Sequence, residues 1–277
     1  VDFHKRKTEN DMSALQKYDK STYFFNVRVD NYDLPNALGE VSRFITDLIP
    51  GITRQVLFTN VHSIQLAQQD PELLNSINHA DLVLADGSGL QIAGKIFGYS
   101  IKENLNGTDF IPQILELANV HGWSVYLLGA TEDVVTVCNQ NLENIYPRLK
   151  IAGYRNGYFR SEEEQDILEE INKKQPDILL VAMGSPRQEV WISHHRRELK
   201  TRVCLGVGGL FDFLSGKRKR APLWMRQLGI EWVFRFIQSP FEKWDRIFID
   251  IPLFLMRVIL NWMLESTLRF ANQFTRY

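Results

Sequence analysis

Apolar runs of strand length recur along the chain, at residues 23–29 (YFFNVRV), 55–59 (QVLFT), 81–85 (DLVLA), 123–129 (WSVYLLG), 177–184 (DILLVAMG) and 202–208 (RVCLGVG). They are rich in Val, Leu and Ile, and several are apolar on both faces, which predicts parallel strands covered by helices on each side. Between them, residues 34–49, 109–122, 132–147 and 161–176 carry apolar side chains near helical spacing. The last stretch opens with Ser161 followed by Glu164, the pattern of a capping box. Strand alternating with helix predicts an α/β fold with a parallel sheet. No internal repeat and no low-complexity segment interrupts it.

Open α/β sheets bind ligands at the carboxyl ends of their strands. Here those ends read FTN (58–60), ADGSG (85–89), LGATED (128–133), MGSPRQE (183–189) and GVGGLFD (206–212). Glycine lets backbone N–H groups approach a phosphate, and a helix N-terminus adds a favourable dipole. The set points to a nucleotide-type ligand. The chain has neither G-x-G-x-x-G nor a Walker lysine motif, which counts against a standard dinucleotide or P-loop site. Asp86 leaves a carboxylate at the edge of its strand. On the residues alone, turn chemistry, helix capping and a functional role all remain open for it.

Composition refines this picture. The 277 residues are 44% hydrophobic, enough for one large domain with an appendage. A formal net charge of −1 gives no overall field for nucleic acid. The charge is uneven: residues 217–277 hold 11 Lys/Arg against 5 Asp/Glu, and the remainder 21 against 28. A basic end on an acidic body predicts contact with something anionic, such as phosphate or a lipid headgroup. The expected organisation is a loose tail over 1–20, an α/β core over 21–216 and a basic amphipathic appendage over 217–277. Cys138 and Cys204 have neither zinc nor disulfide spacing, which fits a reducing compartment. The polar first residues carry no export signal. Residues 247–264 are long enough to span a bilayer only marginally and include Asp250 and Arg257. Each charge at the bilayer centre costs about 2.5–3.5 kcal/mol. Trp244, Phe248, Phe254 and Trp262 beside Arg246, Arg257 and Arg269 suit a helix lying in the interface. Packing against the body or another subunit is the alternative.

The stretches TNVHSIQLAQQDPELLNSINHADLVLADGSGL, LNGTDF, GSPRQEVWI, GVGGLFDFLSGKRKRAP and GIEWVFRFIQSP occur in this order. Together they resemble the WecG/TagA/CpsF glycosyltransferases, glycosyltransferase family 26, over about residues 55–246. The resemblance implies a Rossmann-like fold with a C-terminal appendage that completes the site at the membrane. It implies transfer of a sugar from a UDP donor to a polyprenyl-diphosphate-linked saccharide at the cytoplasmic membrane face, by a peripheral enzyme. It also implies that Asp86 is the general base, with Asn60 and Thr59 beside it and Gly87 keeping bulk away. Asn106, Asp109, Gln188 and Asp212 become candidate donor or acceptor contacts, and Glu189 is expected to be structural.

No D-x-D motif stands near a strand end, so no metal and no other cofactor is expected. The His194–His195 pair is expected to lie on the surface. The leaving UDP must then be neutralised by helix N-termini and cationic side chains. Arg220, Arg235 and Arg246 are the candidates, because Arg can grip a diphosphate with two parallel hydrogen bonds. Lys243 is a weaker one. A homo-oligomer is compatible with this reading. Two positions depart from the family pattern. Phe58 replaces the usual Thr, leaving Thr59 one residue along and on the other face of the strand. Asn104 stands where many members carry Arg. These departures keep a non-catalytic nucleotide-sugar-binding protein as an alternative, and a nucleotide-dependent oxidoreductase is a further one.

Overall fold

The computed structural model describes residues 21–47, 51–99, 101–260 and 263, with backbone alone at 242, 243 and 245–247. The expected tail over 1–20 lies outside the described residues, as do Trp262 and Arg269. One eight-stranded sheet runs in the order β1-β2-β4-β3-β8-β7-β5-β6. Its strands are β1 (Ser21–Phe24), β2 (Val27–Asp30), β3 (Arg54–Thr59), β4 (Leu82–Ala85), β5 (Ser124–Gly129), β6 (Lys150–Arg155), β7 (Ile178–Ala182) and β8 (Val203–Gly206). All neighbours pair in parallel except β1 with β2.

Alternation along each central strand divides the core in two. Val56, Leu82, Leu84, Val125, Leu127, Ile178, Leu180, Val203 and Leu205 point to one face, where they meet α1 (Leu34–Thr46), α5 (Gly107–His121), α6 (Glu132–Ile145) and α9 (Leu210–Leu214). Leu57, Val83, Tyr126, Leu128, Leu179, Val181 and Cys204 point to the other. There they meet α2 (Val61–Ala67), α3 (Pro71–Asn78), α4 (Ser88–Phe97), α7 (Glu164–Lys174) and α8 (Arg187–His195). The chain therefore leaves β3 and β7 toward one face and β8, which lies between them, toward the other. That divergence opens a crevice at the strands' carboxyl ends.

Two expectations are corrected, and one strand is added that the apolar pattern did not predict. Residues 23–29 are not one strand but a hairpin whose two turn residues, Phe25 and Asn26, have φ of 50° and 67°. Positive φ at both positions matches the twist of a two-residue hairpin turn. β6, an edge strand with no fully buried residue, was not expected because its mixed sequence lacks an apolar run. The box expected at Ser161 and Glu164 is not the cap. Glu163 instead accepts the Arg160 backbone N–H at 2.9 Å, ahead of a short 3-10 turn over Ser161–Glu163.

After residue 216 come α10 (Leu223–Gln227), α11 (Glu231–Gln238), α12 (Pro240–Asp245), a π-helical turn (Arg246–Asp250) and a helical run over 251–260. Phe254 and Val258 from that run are buried in the core, and Phe254 meets Phe25 edge-on at 5.7 Å. The other sides of the run carry exposed Leu253, Leu255, Met256, Ile259 and Leu260. Among the described residues, no helix is long and apolar enough to cross a membrane.

Candidate active site

The crevice is a cleft bounded by the ends of β3, β4, β7 and β8 and by the start of α5, with Arg218, Arg235 and Gln238 contributed from the chain beyond residue 216. Asp86 enters it directly after β4. Its backbone N–H donates to the Thr59 carbonyl at 2.8 Å, which locks the strand end to β3. Gly87 follows with φ of 100°, a conformation open to glycine and costly for residues with a Cβ. The Gly87 N–H donates to Asn104 Oδ1 at 2.6 Å. Asn104 thus fixes the turn that presents the carboxylate.

Asn60 is the N-cap of α2. Its Oδ1 accepts the Ser63 N–H at 3.1 Å, and Ser63 Oγ accepts the Asn60 N–H at 2.8 Å. With its oxygen engaged, the Asn60 amide turns its Nδ2 to Asp86 Oδ2 at 3.3 Å. Thr59 lies between cleft-lining Phe58 and Asn60 but is itself 1% exposed within the strand. Phe58 forms an apolar wall and packs edge-on against Phe110 at 5.6 Å. His62, in the first turn of α2, lines the cleft and pairs through Nδ1 with Asp250 of the π-helical turn.

The start of α5 is built differently from the expectation. Gly107 and Thr108 line the cleft. Asn106 caps the helix, accepting the Asp109 N–H at 3.0 Å. Asp109 is gripped by both Arg220 amino groups at 3.0 and 3.1 Å, and Arg226 stands at 3.5 Å. Burial alone would raise the Asp109 pKa. The hydrogen bonds from Arg220 and Asn106 and the charges of Arg220 and Arg226 outweigh it and hold the carboxyl below its usual range. Arg220 also donates to the Thr108 carbonyl at 3.0 Å and faces Glu231 at 3.5 Å. It is a clasp between the core and the chain beyond it. Arg235 is held by Glu231 at 2.7 Å, stacks over Phe213 with its guanidinium 5.0 Å from the ring centre, and lines the cleft. Asp212, also in the lining, pairs with Arg218 at 3.2 Å. Arg246 falls in the π-helical turn, and its side chain lies outside the described residues.

Gln188 is 4% exposed, and its amide is committed to the protein. Its Oε1 accepts the N–H groups of Gly184 and Gly208 at 3.2 and 2.9 Å, tying the turn after β7 to the turn after β8. Its Nε2 donates to Glu189 Oε1 at 3.0 Å. His194 and His195 pair instead with Glu72 and with Glu164 and Glu198, away from the cleft. The sequence reading did not single out Phe58 as a wall, Thr108, His62 or Arg218. Within the KRKR run of 217–220 the sequence reading chose Arg220, whereas Arg218 is the one that lines the cleft.

The chain was compared with known proteins. A model of the glycosyl transferase WecG/TagA/CpsF family matches residues 22–267. A Bacillus subtilis (strain 168) protein named N-acetylglucosaminyldiphosphoundecaprenol N-acetyl-beta-D-mannosaminyltransferase is 32% identical over 193 residues, covering 70% of this chain and 74% of that protein. A Staphylococcus aureus (strain MW2) protein of the same name is 32% identical over 205 residues, covering 73% and 78%. With a family match across most of its length and two such relatives, the chain belongs to the WecG/TagA/CpsF glycosyl transferase family.

Proposed function

We propose that the chain is an inverting glycosyltransferase in cell-surface polysaccharide synthesis. It moves a sugar from a UDP donor to a polyprenyl-diphosphate-linked saccharide, with Asp86 as general base. The presentation of Asp86 carries the reading: a carboxylate whose backbone is pinned on both sides, in a cleft also lined by Arg218 and Arg235. The relatives' name supports the acceptor class.

The chemistry requires such a group, because a sugar hydroxyl is a weak nucleophile. As the acceptor oxygen bonds to the anomeric carbon, its proton passes to Asp86 Oδ and the bond to UDP breaks, its electron pair leaving with the diphosphate. Attack from the face opposite UDP inverts the anomeric centre. Asn60 steadies the carboxylate through Nδ2. Arg235 and Arg218 supply positive charge to the departing diphosphate, as positioned cations do in water-poor sites. Gly87 leaves room for the acceptor. Arg220 and Asp109 act as a clasp, and Asn106 as a cap, in this reading. Thr59 has no contact with substrate. The exposed apolar residues of the 251–260 run, and the basic residues Arg246, Arg257 and Arg269 in the sequence about it, support docking on an anionic membrane, at the cytoplasmic face.

The test is sugar transfer from UDP-N-acetylmannosamine to a short-chain polyprenyl-diphosphate N-acetylglucosamine, with EDTA in excess. Turnover is expected to persist under chelation. Asp86→Asn is expected to keep donor affinity and lose about 100- to 10,000-fold in turnover, the range of positioned acid–base groups. Near-normal turnover by Asp86→Asn would remove the base from the mechanism. Loss of turnover on chelation, restored by magnesium, would overturn the metal-independent departure of UDP.

A further inference from the structure

Besides Asp86 and Asp212, the cleft lining holds a third carboxyl group, Glu189, that the transfer step does not use. Glu189, in the first turn of α8, lines the cleft and is 2% exposed. Its Oε1 accepts two hydrogen bonds, from Ser185 Oγ at 2.7 Å and from Gln188 Nε2 at 3.0 Å. The direction of the second bond is fixed by chemistry. Gln188 Oε1 sits between two backbone N–H groups, which can only donate, so the other end of the amide must be its N–H2. Glu189 Oε2, by contrast, is buried with no hydrogen-bond partner.

These contacts assign the proton. An oxygen that accepts two hydrogen bonds has used both lone pairs, as a carbonyl oxygen does. A proton on this group then belongs on Oε2, turning an orphaned acceptor into a hydroxyl donor. Burial pushes the Glu189 carboxyl up, against the lowering effect of the Ser185 and Gln188 hydrogen bonds. The charged or titratable groups that share the cleft lining are His62, Asp86, Asp212, Arg218 and Arg235. None is a hydrogen-bond partner of Oε2.

We propose that Glu189 stands in the cleft as a neutral carboxylic acid and donates its Oε2 proton, as a hydrogen bond, to an oxygen of the bound nucleotide-sugar. The proposal rests on the donor reading above. The same acceptor chemistry is offered by a carbonyl oxygen of the base and by an oxygen of the diphosphate or sugar. A site that buries one donor discriminates against ligands that leave it unmatched, so Glu189 is a specificity-determining residue for the donor. It also explains why the neighbouring Gln188 amide is spent within the protein: it occupies Oε1 and so leaves Oε2 as the oxygen that carries the O–H.

The experiment compares the full chain with Glu189→Gln and Glu189→Leu. Infrared difference spectra of wild type against Glu189→Gln at neutral pH are expected to contain the carbonyl band of a protonated carboxylic acid. That band is expected to shift when UDP-N-acetylmannosamine binds. By calorimetry, Glu189→Gln, whose amide keeps both the accepting oxygen and a donor, is expected to bind within about threefold of wild type. Glu189→Leu is expected to lose about tenfold or more, the worth of one buried hydrogen bond. The same loss with UMP or uridine assigns the contact to the nucleoside; a loss confined to the intact nucleotide-sugar assigns it to the diphosphate or sugar. No protonated-carboxyl band, a band that ligand leaves unshifted, or wild-type affinity in Glu189→Leu would each overturn the proposal. The infrared comparison stands on the isosteric variant even where Leu impairs folding. Failure of the wild-type chain to bind any uridine nucleotide would be a different result, removing the donor reading itself and this inference with it.

Discussion

Asn104 occupies the place where the family pattern leads one to expect an arginine, and its side chain does local work. Its Oδ1 takes the Gly87 N–H at 2.6 Å, on the peptide that follows Asp86. A short amide reaches that N–H and accepts from it; a guanidinium has no acceptor to offer. Asn104→Ala leaves the N–H without its partner, a loss of about 1–3 kcal/mol where water cannot replace it. The expected outcome is a fall in turnover of about tenfold or more with donor affinity changed far less, because the turn, and not the nucleotide site, is loosened. Steady-state kinetics beside direct donor binding checks this, and unchanged turnover would show that the Asp86 N–H bond to the Thr59 carbonyl and the Leu105 N–H bond to the Ala85 carbonyl, each 2.8 Å, hold the turn unaided. Gln188 teaches the same lesson about amides near a site. Sequence suggests a sugar or uracil contact; the structure uses both ends of the amide to join two loops and hold Glu189.

At the scale of elements, the chain beyond residue 216 is tied to the first turn of α5. Arg220 grips Asp109 with two bonds and reaches the Thr108 carbonyl, so the helix that presents Thr108 to the cleft and the segment that presents Arg235 move as one. The clasp has a defined pH dependence. Asp109 has a lowered pKa in the folded chain, so the unfolded chain binds its proton first as pH falls. Its stabilisation is complete above the ordinary carboxylate pKa of about 3.9 and is lost as pH falls through the lowered folded value. Asp109→Asn is therefore expected to lower the midpoint of urea unfolding at neutral pH and to differ little from wild type once both are acidified below that range. A stability difference independent of pH would mean that the two bonds to Arg220, and not the charge, matter.

At the scale of the whole molecule, the helical run over 251–260 packs against the body, the alternative that the sequence left beside a helix lying in the membrane interface. Phe254 and Val258 pack it on the core, and its remaining apolar side chains face outward. Trp244 and Phe248, stacked at 4.1 Å and about half exposed, extend that outer surface. Deleting residues 241–277 would strip Phe254 and Val258 from the core, so it tests folding and membrane binding together. Trp244→Ser with Phe248→Ser leaves Phe254 and Val258 in the core and gives up, inside the protein, the edge-on contact of Phe248 with Phe236 at 5.9 Å. Losing two large aromatic side chains from a lipid interface removes roughly 2–4 kcal/mol of apolar burial. Binding to anionic vesicles is expected to fall at least tenfold while the thermal midpoint hardly moves; sedimentation with vesicles and a melting curve check both. Undiminished vesicle binding would leave this face for another occupant.

The strands were the most legible part of the molecule, because continuous runs such as LVLA at 82–85 and ILLVA at 178–182 have one economical explanation, burial on both faces. The exceptions have physical causes. β6 is an edge strand and lacks such a run, and the 21–30 hairpin hides its turn inside aromatic sequence, at Phe25 and Asn26. That a cleft would lie at the strand ends was also legible, since Asp86, Asn60 and the glycine-bearing turns that line it are local features of sequence. Which side chains share a hydrogen bond was not. The sequence put Gln188 among the substrate contacts and Glu189 among the structural residues, and only the approach of the turn after β8 to the turn after β7 decides that one amide is consumed and one carboxyl oxygen left bare. Arg220 and Arg218 sit two residues apart in one basic run; tertiary packing sends the first to Asp109 and the second to Asp212. Sequence alone determines what repeats along the chain: apolar period, turn chemistry and charge balance. Contacts between residues a hundred positions apart depend on the angles at which packed elements meet, and only the folded molecule sets those.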